Sequence, residues 1–422
     1  MHRASPVFGG WPRQLLLGWF NLVLTAPLIY LYIGLPLVLR QHGWSGTDIG
    51  LMQLAGLPAM LKFLLATPVD RYRLGRASYR NWSALLLLCY AGAVALLAAH
   101  DLATTPPLKL FALAMLVSVL GTWADVPLNA LAIQLLPAHE RARAGSIRSA
   151  AMSLGAIVGG GVMLLVHARF GWAWPFHLLA AALLSAGLLL PLFKDLPEPR
   201  PAAPAPAGWR DWAGYLKVPG HRLWALLVLV YYPFIGAVWL YLKPLLLDQG
   251  FAPDRIAFIV GIVGGLAGGL ASLFAGRLSH QFGPRVTLPA LALFNLFALA
   301  LLNLTLLAQL GEQALVVAAL VVALAMGASA GLLFGLMMSY TRPGLAALDY
   351  GLQSSLFVAS RTCVPLLAGV LLDHLGYVGM LACLMAALAL VFVLAWQARD
   401  KVLGFAEAPA QRTQPQGEQP CH

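Results

Sequence analysis

The sequence predicts an all-α integral membrane protein with twelve transmembrane helices in two pseudo-symmetric halves of six. Three observations support this fold class. First, 60% of the 422 residues are hydrophobic and only 10% are charged. Soluble domains are about a quarter charged, so lipid must be the main solvent of this chain. Second, the apolar residues form about twelve runs of roughly twenty residues, the length of a membrane-spanning helix. Third, one polar stretch rich in Pro and Ala divides these runs six and six.

The predicted spans define the domain organisation. An N-terminal six-helix half covers residues 1–193, a cytoplasmic linker 194–220, a C-terminal six-helix half 221–400 and a disordered cytoplasmic tail 401–422. The linker is expected to be extended and exposed to water because it is rich in Pro and Ala. The predicted spans are 14–38, 47–66, 82–99, 108–136, 146–167, 172–193, 221–247, 255–276, 286–308, 313–340, 349–372 and 376–398.

Basic residues in the short loops predict the orientation, because cytoplasmic loops are enriched in Lys and Arg. Arg71, Arg73, Arg76 and Arg80 lie between the second and third spans. The loops after the fourth and eighth spans, the linker and the tail are also basic, whereas the alternate loops are poorer in basic residues. Both termini are therefore predicted to be cytoplasmic. The net charge of +11 reflects this orientation rather than a nucleic-acid-binding domain.

Segments of the two halves resemble each other. "SIRSAAMSLGAIVGGGVMLLVHARFGW" in the fifth span aligns with "GLQSSLFVASRTCVPLLAGVLLDHLGY" in the eleventh, and "DRYRLGR" after the second with "GRLSHQFGPR" after the eighth. Parallel repeats of six spans are typical of secondary transporters with a substrate site at the midplane between the halves. The alternative is chance similarity among leucine-rich helices.

Small residues recur within two of the later spans. "GASAG" at 327–331 matches the nucleophile pattern of hydrolases, but that pattern requires a strand–turn–helix setting. Here it lies in an apolar span. Together with Gly335, and with Gly261, Gly265 and Gly269 of the eighth span, it predicts close helix packing through small residues.

Two stretches carry a family resemblance. Lys62, Phe63, Pro68, Val69, Asp70 and Arg71, with "GTWADVPLNALAIQLLPAHERARAGSIR" in and after the fourth span, resemble the muropeptide-permease-like branch of the major facilitator superfamily. Within that branch, "ALDYGLQSSLFVASR" at 347–361 is more similar to the single-protein siderophore importers, the pyochelin and rhizobactin permease group. Two features depart from the muropeptide permeases. These usually have additional spans, and Asn129 stands here where they have a second carboxylate.

Charged residues inside apolar spans mark candidate functional positions, because inserting each one costs about 2.5–3.5 kcal/mol. Asp125 is the one acid well inside a predicted span. Burial favours the neutral form of a carboxyl group, so Asp125 is predicted to carry the coupling proton, with Arg148 as the nearest cation to oppose this. Arg361 is predicted to bind substrate. Lys62 and Arg148 are assigned to helix pairing, which is also the alternative for Asp125 and Arg361.

Asp70 and Arg71 are predicted to form a gate at the cytoplasmic surface. A carboxylate at a helix end can accept hydrogen bonds from the N-terminus of a facing helix. The resemblance implies that the facing helix is the eleventh, which begins near Asp349. Such a contact forms only when the cytoplasmic side is closed. The alternative is a plain positive-inside anchor, the role assigned to the other arginines of this loop.

Spans one, four, seven and ten line the cavity in this superfamily, and here they hold many polar and aromatic residues. Aromatic faces with a few polar groups suit a ring-rich, weakly charged ligand. The predicted substrate-binding residues are Asn21, Tyr30, Trp123, Asp125, Asn129, Tyr231, Tyr232, Trp239, Met337 and Arg361.

These features predict a monomeric permease of a bacterial inner membrane that imports an iron–siderophore complex of the pyochelin type. Protons are the expected coupling ion, because the sequence has no ATP-binding motif. A muropeptide or small-peptide permease is the alternative among transporters, and a membrane enzyme or receptor is the alternative from other classes. Neither clustered catalytic residues nor metal-ligand spacing occurs, so no enzyme activity, cofactor or resident metal is expected.

Overall fold

The computed structural model describes residues 10–42, 54–75, 77–100, 105–193 and 211–411. Within these ranges the chain forms twelve long helices, here named α1 to α12, and one short helix before α7. Many large apolar side chains point outward, among them Leu108, Leu188 and Leu390. Such exposure would be unfavourable in water and is expected of a surface that contacts lipid.

The first six helices run from Gly10 to Leu192. α1 comprises Gly10–Ile29, the π-helical turn Tyr30–Gly34 and Leu35–Gln41. α2 begins as the 3-10 helix Leu54–Leu61 and continues as Lys62–Arg71. α3 is Ser78–Ala98, and α4 is Pro107–Leu135. α5 comprises Ala138–Ile157, the π-helical turn Val158–Val162 and Met163–Phe170. α6 is Ala173–Leu189, followed by the 3-10 turn Leu190–Leu192.

The last six helices follow the short helix Asp211–Tyr215. α7 comprises His221–Val230 and Pro233–Asp248. α8 comprises Pro253–Ile256, the π-helical segment Ala257–Gly264 and Gly265–Phe282. α9 is Pro284–Leu307, and α10 is Glu312–Ser339. α11 (346–375) and α12 (377–411) form one run, Ala346–Gln411, that is broken at Gly376, where φ is 67°. Glycine adopts this conformation without the clash that a Cβ would cause.

The predicted fold class is confirmed. In the described part of the chain ten helical runs are long and apolar enough to cross a membrane, and the last of them, Ala346–Asp400, includes most of both α11 and α12. α2 is shifted relative to its predicted span, 47–66: its described part starts at Leu54, and it continues to Arg71, so the two predicted gate residues lie in its last turn. The orientation of the termini stays a prediction.

The predicted domain boundaries also stay a prediction, and they meet the structure only in part. Linker residues 194–210 and tail residues 412–422 lie outside the described residues. Residues 401–411, assigned to the tail, continue α12. Residues 211–215 of the linker are helical rather than extended.

Two groups of helices join the first six to the last six. α5 packs against α8 and α10, and α2 and α4 pack against α11. These contacts include the end of the bundle at which α2 ends and α11 begins, here called the Asp70 end. There the Arg141 guanidinium of α5 donates a hydrogen bond to the Met338 carbonyl of α10 at 3.4 Å.

Small residues allow α5, α8 and α10 to approach one another closely. A Cβ added to Gly145 of α5 would lie 2.0 Å from the backbone nitrogen of Gly335 in α10, and one added to Gly327 of α10 would lie 2.0 Å from the carbonyl oxygen of Gly268 in α8. Ser272 of α8 donates to the carbonyl oxygen of Ser146 in α5 at 3.0 Å. The predicted small-residue packing is therefore present in α10.

On α8 the contact register differs from the prediction. A Cβ on Gly261 would meet no atom within 4 Å, and Cβ atoms on Gly265 and Gly269 would make ordinary contacts of 3.7 and 3.6 Å with α5. The tight contacts of α8 use Gly268 and Gly276 instead. Three glycines spaced by four residues do not reveal which face of a helix meets its neighbour, because other small residues lie beside them.

The short linker helix Asp211–Tyr215 lies across the Asp70 end and contacts both groups of six helices. The Trp212 ring packs edge-on against Phe63 of α2, with 6.1 Å between ring centroids. The buried Tyr215 hydroxyl donates to the Tyr340 carbonyl at 3.1 Å. These aromatic contacts give a physical reason for helix in place of the predicted extended chain, because the helical turn buries Tyr215 and places the exposed Trp212 ring against Phe63.

We expect Gly145→Ala to destabilise the bundle, because a methyl group at this position overlaps the α10 backbone. Overpacking costs about 1–3 kcal/mol, which exceeds the gain of about 1 kcal/mol from replacing a helical glycine by alanine. Gly187→Ala in α6 is the matched control, because its Cβ would meet no atom within 4 Å. Thermal unfolding of the purified protein in detergent should give a lower Tm for Gly145→Ala only. Equal Tm values would show that α5 and α10 are not held at this distance.

Candidate functional site

An acid and two bases from three helices meet inside the bundle. The Asp125 carboxylate of α4 lies 2.6 Å from the Lys62 ammonium of α2. The Arg148 guanidinium of α5 binds the same carboxylate in a bidentate manner, with Nη1–Oδ1 at 2.8 Å and Nη2–Oδ2 at 3.0 Å. Lys62 and Arg148 are 8% and 6% exposed. Planar two-point pairing is the strongest geometry that arginine and a carboxylate can form.

Two asparagines hold the arginine in place. Arg148 Nη1 donates to the side-chain oxygen of Asn21 in α1 at 2.8 Å, and it also contacts that of Asn129 in α4. The Asn21 amide nitrogen in turn donates to the Leu17 carbonyl at 2.7 Å. Nη1 has two hydrogens but faces three oxygens, including that of Asp125. The network therefore offers more acceptors than this nitrogen can satisfy at once, and alternative pairings are close in geometry.

The ion cluster of Lys62, Asp125 and Arg148 also touches the last six helices. The Arg148 guanidinium lies over the ring of Phe334 in α10 at 5.3 Å and over the ring of Tyr350 in α11 at 5.6 Å. Cation–π contacts of this kind contribute about 0.5–2 kcal/mol. A change in the pairing of Arg148 thus acts directly on contacts between the two groups of six helices.

A row of aromatic rings leads from the ion cluster to a fourth charge. Phe334 packs against Phe357 of α11 with 5.2 Å between centroids, and Phe357 packs against Tyr232 of α7 at 4.9 Å. The Arg361 guanidinium lies 5.8 Å from the Phe357 ring. Phe357 and Arg361 are four residues apart and share one face of α11. Arg361 therefore lies on the face of α11 that meets α7 and α10.

The structure brings together half of the predicted substrate-binding residues. Around the ion cluster and the aromatic row lie Asn21, Asp125, Asn129, Tyr232 and Arg361. The sequence predicts helix pairing for Lys62 and Arg148, and for Arg148 also the pairing that opposes protonation of Asp125; the structure places both cations on that carboxylate. Phe334 belongs to the polar and aromatic residues of the predicted cavity spans but not to the predicted substrate-binding set, and Phe357 belongs to neither, because an apolar aromatic residue in a span carries no signal that separates a cavity wall from a packing contact.

The predicted aromatic residues of α1 and α4 lie elsewhere. The Tyr30 ring packs edge-on against Phe176 of α6, with 5.3 Å between centroids. The Trp123 ring packs against Trp82 of α3 at 5.8 Å. Both contacts lie within the first six helices. Trp123 is two residues from Asp125, a rotation of about 200° around a helix, so its side chain leaves α4 on the opposite face.

The remaining predicted residues lie in α7 and α10, and two of them, Tyr231 and Trp239, contact α9 and α8 rather than the ion cluster. The Tyr231 hydroxyl donates to the Leu288 carbonyl of α9 at 2.7 Å. The Trp239 ring lies against Gly264 of α8, where an added Cβ would come within 2.6 Å of it. Met337 is fully buried. The expected convergence of these side chains on one cavity is therefore not observed, because composition identifies the span but not the face.

The Asp70 carboxylate joins α2 to the start of α11. Its Oδ2 accepts a hydrogen bond from the backbone N–H of Leu348 at 2.7 Å, and its Oδ1 accepts one from the Tyr79 hydroxyl at 2.6 Å. This is the carboxylate-to-helix contact that the sequence predicts. Arg71 does not share it: its guanidinium lies over the neighbouring Tyr72 ring at 5.7 Å. The gating role of both residues stays a prediction.

A second carboxylate, on the first turn of α11, binds the segment that precedes this helix. Asp349 is fully buried and accepts hydrogen bonds from the backbone and the guanidinium of Arg342, the shortest at 2.6 Å. Arg342 also donates to the Asp211 carbonyl of the linker helix at 3.0 Å. The N-terminus of α11 therefore meets α2 on one side and the linker helix on the other.

The family follows from the sequence comparison. The family model described as Major Facilitator Superfamily matches residues 15–361. The chain belongs to the major facilitator superfamily. It is 26% identical over 375 residues to the anhydromuropeptide permease of Escherichia coli K12, which covers 82% of this chain and 73% of that protein. It is 27% identical over 377 residues to an uncharacterized protein of Haemophilus influenzae, which covers 83% of this chain and 86% of that protein.

A solved structure supports the fold. The proton:xylose symporter XylE aligns with a TM-score of 0.70 over 92% of this chain and 95% of that chain, at 13% identity. As a member of the major facilitator superfamily, the protein is a transporter and not an enzyme, and it is a multi-pass protein of a bacterial inner membrane. These predictions are confirmed. The named relative matches the alternative prediction, a muropeptide permease, rather than a siderophore importer.

We expect Asp70→Asn to weaken closure of the Asp70 end of this major facilitator protein. A neutral amide loses the charge interaction with the α11 N-terminus, which is worth about 0.3–1 kcal/mol, or about two- to fivefold in an opening equilibrium. The reporter is Ser355→Cys, with the native cysteines replaced, because Ser355 is buried where α2 meets α11. Its labelling by a maleimide should accelerate by this factor.

Asp373→Asn is the matched control, because Asp373 is an exposed acid near the opposite end of α11. It should leave the labelling rate of the reporter unchanged. The same rate in Asp70→Asn and the parent would reduce Asp70 to an ordinary charge at a helix end.

Proposed function

We propose that this protein imports a muropeptide or another small peptide-bearing solute across the bacterial inner membrane, driven by the proton gradient. The observation that carries the proposal is the ion cluster, in which one buried carboxylate is shared by two cations and lies against rings of the last six helices. The sequence similarity to the anhydromuropeptide permease supports the choice of solute.

In this proposal the Asp70 end faces the cytoplasm, as the basic loops suggest. Glycine contacts between α5 and α10, the Asp70–Leu348 hydrogen bond and the linker helix all act at this end. The described conformation is then closed to the cytoplasm. Import requires these contacts to separate while the helices within each group of six stay packed.

Asp125 is the proposed proton carrier. In the described conformation two cations stabilise its ionised form, so a proton competes with both pairings. Protonation would leave Lys62 and Arg148 buried without a counter-charge, which is unfavourable in an apolar bundle. Because Arg148 packs on Phe334 and Tyr350, this imbalance favours rearrangement where the two groups of helices meet. Protonation and conformation are thereby linked.

Import of an iron–siderophore of the pyochelin type remains the competing hypothesis. The resemblance of residues 347–361 to siderophore importers suggests it, whereas the named relative is an anhydromuropeptide permease. The two solutes can be told apart by uptake in a strain that lacks the protein and is complemented with it. We expect uptake of labelled anhydromuropeptide, and not of labelled ferric siderophore, to depend on the complementing gene.

Tyr232→Ala tests whether the aromatic row takes part in this uptake. Loss of an aromatic contact worth about 0.5–1.5 kcal/mol should lower the initial uptake rate about two- to tenfold. Trp123→Phe is the control, because Trp123 packs on Trp82 away from the row. In the uptake comparison of the two solutes described above, siderophore uptake that depends on the gene, together with muropeptide uptake that does not, would replace the proposed solute by its competitor. Equal initial uptake rates in Tyr232→Ala and Trp123→Phe would exclude the aromatic row from the site.

Asp125→Asn tests coupling. The cluster of two cations and one anion changes from a net charge of +1 to +2, so the single variant is expected to fold poorly, since breaking a buried pair costs about 3–5 kcal/mol. The double variant Lys62→Gln with Asp125→Asn restores +1 and should recover expression. In proteoliposomes it should exchange solute downhill but should not accumulate solute against its gradient when a pH gradient is imposed.

The single variant Lys62→Gln is the control for the double variant. It retains Asp125 and its bidentate contact with Arg148, so it should still accumulate solute in response to a pH gradient. Uphill accumulation by the double variant at normal expression would show that Asp125 only pairs helices and that coupling lies at another residue.

A further inference from the structure

Arg361 is an exposed cation at the centre of the structure. It lies near the middle of α11 (346–375) and is exposed, although residues of α11 on other faces are buried. Its guanidinium lies 5.8 Å from the ring of Phe357, four residues earlier on the same face of α11, and that buried ring packs on the buried Tyr232 of α7 and on Phe334 of α10. Arg361 therefore lies on the face of α11 that meets α7 and α10 rather than lipid.

Among the described residues no carboxylate pairs with Arg361. The nearest acid of the central region, Asp125, is already bound by Lys62 and Arg148. The other described carboxylates that make hydrogen bonds lie towards the two ends of the bundle, such as Asp70 and Asp349 at one end. With one anion against three cations the centre carries a net charge of +2. An unpaired guanidinium at this depth is unfavourable unless an anion or water accompanies it.

The chemistry of the site fits one class of ligand group. A guanidinium presents its N–H groups as a planar fork that matches both oxygens of a carboxylate. The rings of Phe357 and Tyr232 lie beside it and offer apolar surface for the part of a solute next to such a group. Lys62 and Arg148 add further positive charge to the centre. This net positive charge disfavours a cationic ligand group.

We propose that Arg361 is the carboxylate-binding residue of the transported solute, and that the solute is consequently an organic anion selected by its free carboxylate. This inference rests on the proposed transport function and specifies the chemical group that the site recognises. Binding of the carboxylate would reduce the net charge of the centre from +2 to +1, which lowers the cost of closing the site around the solute.

The test is equilibrium binding to the purified protein in detergent, with labelled anhydromuropeptide in two forms: one with free carboxylates and one with its carboxylates amidated. Loss of a hydrogen bond to a charged group corresponds to about tenfold or more in affinity. The unmodified protein should therefore bind the free form at least about tenfold more tightly. Arg361→Gln should abolish this preference, and Arg361→Lys, which keeps the charge but loses the fork, should retain part of it.

Arg277→Gln is the matched control, because Arg277 is an exposed arginine near the end of α8, away from the aromatic row. It should keep the full preference of the unmodified protein. Equal affinity of the unmodified protein for the free and amidated forms would overturn the inference while leaving transport of the muropeptide intact. Competition by inorganic phosphate as strong as that by the free form would also overturn it, because the site would then hold any small anion.

Failure of the proposed function gives a different result. If neither form of the muropeptide binds, the proposed solute is wrong, and the same comparison is made with a carboxylate-bearing ferric siderophore and its methyl ester. A preference for the free acid that Arg361→Gln removes would support the carboxylate site for that solute. Equal binding of acid and ester would overturn it. If Arg361→Gln does not fold, Arg361→Lys and the paired ligands decide the question.

Discussion

A charge buried in an apolar bundle must be compensated by other charges or hydrogen bonds, and this constraint organises the first six helices. The Asp125 carboxylate satisfies Lys62 of α2 and Arg148 of α5 at once, and Asn21 of α1 completes the set. Four helices are thus tied to one acid. Each ion left alone would cost several kcal/mol, so removing any member changes the balance of all the others. In the proposed mechanism, a proton on Asp125 would therefore disturb the pairing of both Lys62 and Arg148.

The Asp70 end is closed by contacts of two kinds. Glycine and serine residues of α5, α8 and α10 bring backbones close together, which gives dispersion contacts that vanish after a small separation. The Asp70 carboxylate and the linker helix add hydrogen bonds to backbone groups at the ends of α10 and α11. These hydrogen bonds are individually modest; the Asp70–Leu348 bond is partly buried and the Tyr215–Tyr340 bond is buried. Opening of this end, as proposed, would require water to replace both.

Composition and loop charge were sufficient to predict a helical membrane protein, because the length of an apolar run and the scarcity of charge follow directly from the bilayer. Asp125 and its pairing with Arg148 were also predictable, since an ionised group in lipid needs a partner. The faces of the helices were not predictable. Trp123 and Asp125 are two residues apart yet point in opposite directions, and Gly268 rather than Gly265 makes the tight contact of α8. A single sequence does not show which side of a helix packs against which neighbouring helix.

The central charges and the closed end are joined by the same pair of helices. α2 carries Lys62 at the ion cluster and Asp70 at its end, about 12 Å apart along the helix. Between them the backbone N–H of Phe63 donates to Ser355 of α11 at 3.1 Å, and a Cβ on Gly351 of α11 would come within 2.6 Å of Ala66. Helices packed this closely move as a unit or separate altogether. In the proposed mechanism, a change in the charge facing Lys62, by a proton on Asp125 or by a ligand at Arg361, would act on a helix pair that also forms the Asp70–Leu348 hydrogen bond.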